Sequence, residues 1–193
     1  MDKHRYEMAI ESLEELRPVT MDTRLGGEVQ FLLAETRFLQ GKYAEADAGY
    51  SVYLDLYPDG PFAEKALYMN ALSKIRSIRK IAFFTFRSYI PYDRDISVLK
   101  EARTLFELYI DRYPTGQWID YSKQTAAELL LKEGKHELSI ASFYLRKDEP
   151  KAVLARAEKI LNGPYPEEVM AEAREMVRRA GDLPYPGADT FSP

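Results

Sequence analysis

The chain contains no cysteine, so no disulfide, thiolate metal site or thiol redox centre can be built from it. That absence leaves the compartment open, because many disulfide-free proteins work outside the cytosol. Only two histidines are present, His4 and His136, too few and too far apart for a recognisable zinc motif. Long hydrophobic runs are missing as well. The longest stretches without a charge, 66–73 and 138–145, have eight residues each, far short of the roughly 20 apolar residues that span a bilayer. Nor is there a surplus of positive charge. The 27 Lys and Arg against 31 Asp and Glu leave a net charge of -4, the sequence pI is near 5.4, and no Lys/Arg stripe stands out. A nucleic-acid partner is therefore not expected, since phosphate binding relies on a concentrated basic surface. The opening Met1-Asp2-Lys3-His4-Arg5 lacks the apolar stretch of a secretory signal. If that start is natural, the chain as written reads as one that stays in the cytoplasm.

Catalytic constellations are equally sparse. Gly41-Lys42 resembles the end of a phosphate-binding loop, but the earlier glycine would fall at Thr36 and no Ser or Thr follows the lysine. His136 has Ser139 one turn on, yet without a strained nucleophile turn or an orienting acid it reads as a surface histidine of a helix. Neither an enzymatic activity nor a cofactor nor a bound metal is expected.

What the chain does have is helical periodicity. Of its 193 residues, 46% are hydrophobic and 30% charged, which suits a well-folded helical protein and argues against overall disorder. The clearest stretch is 31–58. Phe31, Ala34 and Phe38 recur at helical spacing, Gly41 interrupts, and Tyr43, Ala46, Tyr50, Tyr53 and Leu54 then share one face up to Tyr57-Pro58. This is a helix hairpin, with Ala34 and Ala46 small where the helices must cross. The spacing of Gly41, Tyr43, Ala46, Tyr50 and Pro58 resembles a tetratricopeptide repeat, whose period is about 34 residues. One such pair cannot bury both faces, so further copies are expected to stack on it.

Taken in order, Tyr6, Ala9, Ile10, Leu13 and Leu16 form the stripe of a first helix that should end before Pro18. It reads as the second helix of a repeat whose first helix is missing, which suggests a truncated N-terminus. Residues 19–27 read as a turn carrying Gly26-Gly27. After the hairpin, Pro61 suits the first position of a helix over 62–79. An insertion at 80–96 then holds Phe83, Phe84, Phe86, Tyr89 and Tyr92; segments that long are often functional. Phe83, Phe84 and Phe86 suit a plug between two hairpins. Tyr92, Asp93, Arg94 and Asp95 either tie the insertion down or present Arg94 to a partner. The paired helix resumes at Ser97 and repeats the template through Ala102, Phe106, Tyr109 and Tyr113-Pro114. One long helix over 117–147 follows, interrupted only by Gly134. Another runs from Pro150 to Asn162-Gly163-Pro164, and a last one opens at Pro166-Glu167-Glu168. The fold expected is an all-α, right-handed tetratricopeptide superhelix of about eight helices. It should form one domain over 1–181, with an extended or disordered tail at 182–193.

Generic repeat spacing identifies little, but one order of residues is specific. It comprises Tyr68-Met69-Asn70-Ala71-Leu72, the insertion with Phe83-Phe84 and Asp93-Arg94-Asp95, Ala102-Arg103-x-x-Phe106, Tyr113-Pro114, and Ala152-Val153-x-x-Arg156-x-Glu158-x-x-Leu161. Over 6–166 the chain thereby resembles the BamD-like outer-membrane assembly lipoproteins. The resemblance implies a non-enzymatic scaffold on the periplasmic face of the outer membrane, held there by an acylated N-terminal cysteine that this sequence lacks. It implies C-terminal repeats that dock a POTRA domain of the barrel-assembly subunit, with Arg156 at the contact, and N-terminal repeats that meet unfolded barrel substrates. By its own helical phase Arg156 points away from the stripe of Val153, Leu154, Ala157 and Leu161. A guanidinium there suits a carboxylate on a docking domain or an internal salt bridge to a neighbouring helix, and the phase alone does not choose. The alternative to the assembly role is a generic tetratricopeptide adaptor that holds a peptide in a groove lined by Glu35 and Phe38.

Overall fold

The computed structural model describes residues 3–20, 23–83 and 96–181. Among these it contains eight α-helices and no strand, the all-α repeat fold of tetratricopeptide type that the periodicity implies. They are α1 (Lys3–Thr20), α2 (Arg24–Leu39), α3 (Tyr43–Leu56), α4 (Ala63–Phe83), α5 (Ser97–Arg112), α6 (Ile119–Leu145), α7 (Pro150–Leu161) and α8 (Glu167–Gly181). The helices form two compact units. One contains α1 to α5 and α6 up to Ala126; the other contains the rest of α6 with α7 and α8. Within the first, each of α1 to α5 packs on its neighbour in sequence, as α7 packs on α8 in the second. Residues 84–95 and 182–193 lie outside the described residues, so the expectations for Phe84, Phe86, Tyr92, Asp93, Arg94, Asp95 and the tail find no test here.

The hairpin of α2 and α3 is built around small residues. Ala34, Ala46, Tyr50 and Tyr53 are fully buried, and Gly41, with φ of 72°, makes the turn between the helices. A close approach lies one turn beyond Ala46, at Gly49. A Cβ added there would sit 2.9 Å from the Ala34 Cβ and 3.2 Å from its Cα, so the crossing leaves no room for a side chain at 49. The Gly49 carbonyl accepts a hydrogen bond from the buried Gln30 amide at 3.0 Å. Asn70 joins α4 to the same hairpin, donating from Nδ2 to the Asp47 carbonyl at 2.8 Å, the Asp47 carboxylate at 3.0 Å and the Ser51 hydroxyl at 2.9 Å.

Between helices, one device occurs twice. In both 53–62 and 109–118 a tyrosine is followed by Tyr-Pro, then Gly, then a large aromatic residue. The Tyr53 hydroxyl accepts from the Phe62 amide at 3.1 Å, and the Tyr109 hydroxyl accepts from the Trp118 amide at 3.1 Å. The backbone bonds match as well: Gly60 to Tyr57 and Ala63 to Gly60 in the first copy, Gly116 to Tyr113 and Ile119 to Gly116 in the second. The N-terminal amides of a helix have no partner within it, and here a side chain of the preceding helix supplies one. Glycine is required because any side chain at Gly60 or Gly116 would strike the tyrosine hydroxyl. The aromatic residue that ends each turn stacks one helix further back: Phe62, after α3, on Phe31 of α2 at 4.7 Å and 13°, and Trp118, after α5, on Tyr68 of α4 at 4.7 Å and 9°. In the second copy Glu64 of α4 also accepts from Tyr109 at 2.7 Å and from the Gln117 amide at 2.9 Å.

Several expectations need correction. The first helix does not end before Pro18 but runs to Thr20. So close to the end, proline costs a single amide bond, and the Thr20 hydroxyl satisfies a carbonyl of that turn by donating to Leu16 at 2.9 Å. Gly26 and Gly27 are not a turn. They are buried in the first turn of α2, which Thr23 caps by accepting from the Leu25 amide, and the Tyr57 ring rests over Gly27. Helix α4 continues past 79 to Phe83. His136 is buried rather than on the surface. The single long helix read through Gly134 is present as α6, and a Cβ at Gly134 would come within 2.7 Å of Val169 in α8.

Two stability measurements follow from this packing. Gly49→Ala would ordinarily stabilise a helix interior by about 1 kcal/mol; against Ala34 it should instead destabilise by about 1–2 kcal/mol through overpacking, read as a lower thermal midpoint. Tyr109→Phe leaves the Trp118 amide without its acceptor and should lower the unfolding free energy in urea by about 1–2 kcal/mol.

Candidate functional site

In the second unit, α7 begins with Pro150 at its first turn, after Asp148 at φ of 55°. Its buried face is Pro150, Val153, Ala157 and Ile160. Of these, Val153, Ala157 and Ile160 pack with Leu138 and Ala141 of α6 and with Val169, Ala173 and Met176 of α8. Leu154 is not part of this stripe, as the sequence reading had it, but is 41% exposed. A stripe of 153, 157 and 160 places 156 and 159 together on one flank of the helix.

That flank carries Arg156 and Lys159, and both reach the same carboxylate. Arg156 Nη1 donates to Glu137 Oε2 at 3.1 Å, and Lys159 Nζ donates to Glu137 Oε1 at 2.5 Å. Glu137 sits on α6 with its side chain 4% exposed, whereas the side chains of Arg156 and Lys159 are 37% and 49% exposed. Burial alone would raise the Glu137 pKa, but the bonds and charges of Lys159 and Arg156 outweigh it, and the carboxyl titrates below its usual 4.5. Arg156 thus makes the internal salt bridge that was one of its two readings, while more than a third of its side chain stays open to solvent. Glu137 and Lys159 were not singled out in the sequence. A signal for Glu137 was there: it falls on the helical phase of Leu130, Gly134, Leu138 and Ala141, where a charge needs a partner.

The other candidates are placed separately. Glu35 of α2 pairs with Lys65 of α4, whose ammonium lies 5.2 Å from the centre of the Phe31 ring. Phe38 is half-buried and packs edge-on against Tyr43 across the hairpin turn, with ring centres 5.2 Å apart. The Ser139 hydroxyl donates to the backbone carbonyl of His136 at 2.7 Å rather than to the imidazole, so the two do not form a nucleophile and base. Tyr92, Asp93 and Arg94 fall outside the described residues. Among the described residues no group of three or more acidic or histidine side chains could hold a metal, and no helix is long and apolar enough to cross a membrane.

Residues 1–179 match the model of the YfiO family, described as outer membrane lipoprotein. The chain belongs to this family. Curated proteins with which this family member shares sequence are outer membrane protein assembly factors BamD. That of Xylella fastidiosa (strain 9a5c) is 24% identical, the match covering 69% of this chain and 58% of the relative. That of Neisseria gonorrhoeae is 26% identical over 82% of this chain and 67% of the relative. That of Rickettsia prowazekii (strain Madrid E) is 24% identical over 84% and 60%. The chain spans between 58% and 67% of the length of these curated relatives.

The Glu137 cluster gives this family member a pH signature. Its folded pKa lies below the unfolded one, so the stabilisation is complete above the unfolded carboxylate range and is lost as pH falls through the folded value. Glu137→Gln should therefore cost about 2 kcal/mol at pH 7, less than a sealed ion pair would because both cations can rehydrate. In urea unfolding the difference from the unsubstituted protein should stay flat above about pH 5 and shrink towards pH 3.

Proposed function

We propose that this protein is a non-enzymatic scaffold subunit of the machinery that assembles β-barrel proteins into the outer membrane. It would work at the periplasmic face, with its C-terminal helices docking a POTRA domain of the barrel-assembly subunit. The observation that carries the reading is the family match over 1–179, together with relatives named as outer membrane protein assembly factors. The docking part draws support from α7. Its Arg156 guanidinium is held by Glu137 yet 37% exposed, and a planar fork of donors suits a carboxylate on a partner. The helices of the first unit, α2 and α4 among them, are the surface we assign to unfolded barrel substrates.

Titration of the POTRA region of the barrel subunit from the same genome tests the docking. Arg156→Ala should weaken binding by about 2 kcal/mol or more, roughly thirtyfold. Lys159 remains on Glu137 in that variant, so its helix content and melting temperature should stay close to those of the unsubstituted chain. Undiminished affinity, or a large loss of stability, would show that the arginine serves the fold alone.

A further inference from the structure

Among the described residues three tyrosines are fully buried, Tyr50, Tyr53 and Tyr109. The hydroxyls of Tyr53 and Tyr109 close the two turns described above, whereas that of Tyr50 has no hydrogen bond to any described residue. A phenol sealed from water without a partner works against folding, and a phenylalanine of nearly the same shape would avoid the cost. The acid within electrostatic reach is Glu35: burial raises the Tyr50 pKa first, and the Glu35 charge raises it further. Yet Glu35 does not accept the hydroxyl. It is held by Lys65, which reaches across from α4 and sets its ammonium 5.2 Å from the centre of the Phe31 ring. Tyr50 packs on that same ring, with centres 5.8 Å apart. The ion pair is open to solvent, Glu35 at 25% and Lys65 at 40%, while the hydroxyl behind it is not.

We propose that Lys65 is an exchangeable latch: an acidic side chain of an unfolded barrel substrate takes its ammonium, and Glu35, once released, accepts the Tyr50 hydroxyl. This inference rests on the assignment of α2 and α4 to substrate given above. The exchange replaces one ion pair by another at Lys65 and adds a charge-assisted hydrogen bond that the free chain lacks. Glu35 is partly open to water, so losing its cation does not leave a bare charge sealed in the core. Tyr50 and Glu35 are thus positioning residues that act through Lys65. The surroundings of Lys65 select the occupant. An anionic bilayer is held by a cluster of cations, but Lys65 has Glu35 across from it and Glu64 before it, on a chain whose net charge is -4. One acid on a flexible segment can reach a single ammonium bridging two helices. Leu32 and Leu39, exposed on α2, and the half-buried Phe38 suit apolar residues on either side of that acid.

Synthetic peptides that tile a barrel protein from the same genome test the latch by titration against the full chain, the strongest acidic binder being paired with its amide counterpart, asparagine for aspartate or glutamine for glutamate. Lys65→Met, which keeps the apolar stem, should weaken the acidic peptide about tenfold and leave the amide peptide unchanged. Tyr50→Phe should raise the thermal midpoint of the free chain by about 2 °C or more, because an unpaired hydroxyl is removed, yet weaken the acidic peptide about fivefold. Glu35→Gln frees the ammonium beforehand, so the acidic peptide should bind about threefold more tightly, and in that background Tyr50→Phe should no longer change the affinity. A Tyr50→Phe chain no more stable than the unsubstituted one shows that the hydroxyl already has a partner and overturns the latch, as does one that binds the acidic peptide undiminished. An acidic peptide that loses nothing to Lys65→Met, or an amide peptide that loses as much, overturns it while leaving the substrate assignment of α2 and α4 in place. Anionic phospholipid vesicles that bind the unsubstituted chain and are shed by Lys65→Met, with peptide affinity kept, overturn it in favour of a membrane. If the unsubstituted chain binds no peptide at all, the substrate assignment fails and the latch falls with it.

Discussion

A tyrosine hydroxyl that accepts the backbone amide nine residues ahead is the interaction on which the arrangement of helices in the first unit depends. Tyr53 does this for Phe62, and Tyr109 does it for Trp118. Each bond contributes only about 1 kcal/mol net, but its geometric effect is larger. It closes the turn after a helix onto that helix, and the aromatic residue at the end of the turn then stacks on the preceding layer. Tyr-Pro breaks the helix, glycine makes room for the hydroxyl, and the aromatic ring stacks on an earlier helix. Burial raises the pKa of both hydroxyls, that of Tyr109 to about 12, so they remain protonated and able to donate. Tyr109 uses this to bond Glu64, which ties the second copy of the device to the helix that follows the first.

Charge is handled in opposite senses in the two units. In the first, one cation serves two acids: Lys74 Nζ lies 3.0 Å from both the Asp47 and the Glu101 carboxylates, bridging α3 and α5 from α4. Burial alone would lower the Lys74 pKa, but the two acids raise it overall. In the second, one acid serves two cations, Arg156 and Lys159 on Glu137. The first arrangement leaves a residual negative charge and the second a residual positive one. In each the shared ion is the more buried, so the surplus charge lies on the solvent side.

The functional reading follows the same division. The family match covers α1 to α8 nearly completely, while the cluster of Glu137, Arg156 and Lys159 lies on one flank of α7. Small residues and aromatics place the helices. A few charges, Arg156 and Lys159 among them, are left partly exposed by the packing.

Much of this was legible in the residues. Helix content, the breaks at Pro58 and Pro114, the small residues at the α2–α3 crossing and the family resemblance are all written in 3.6-residue periodicity and turn residues, which act over a few neighbours in the chain. Where the reading failed, a local rule was overridden by something distant. Gly26-Gly27 looked like a turn because nothing nearby shows the Tyr57 ring that rests against that helix. Leu154 looked buried because its phase sits beside the true stripe. His136 looked exposed because no apolar stripe of its own helix marks it, yet it is buried. The sequence by itself determined the helices, the breaks at Pro58 and Pro114 and the flank on which Arg156 stands. Only the tertiary structure decided what Arg156 meets, because Glu137 lies 19 residues before it and 22 before Lys159. Which charges share a carboxylate is set by how two helices pack, and periodicity along one helix holds no information about its neighbour.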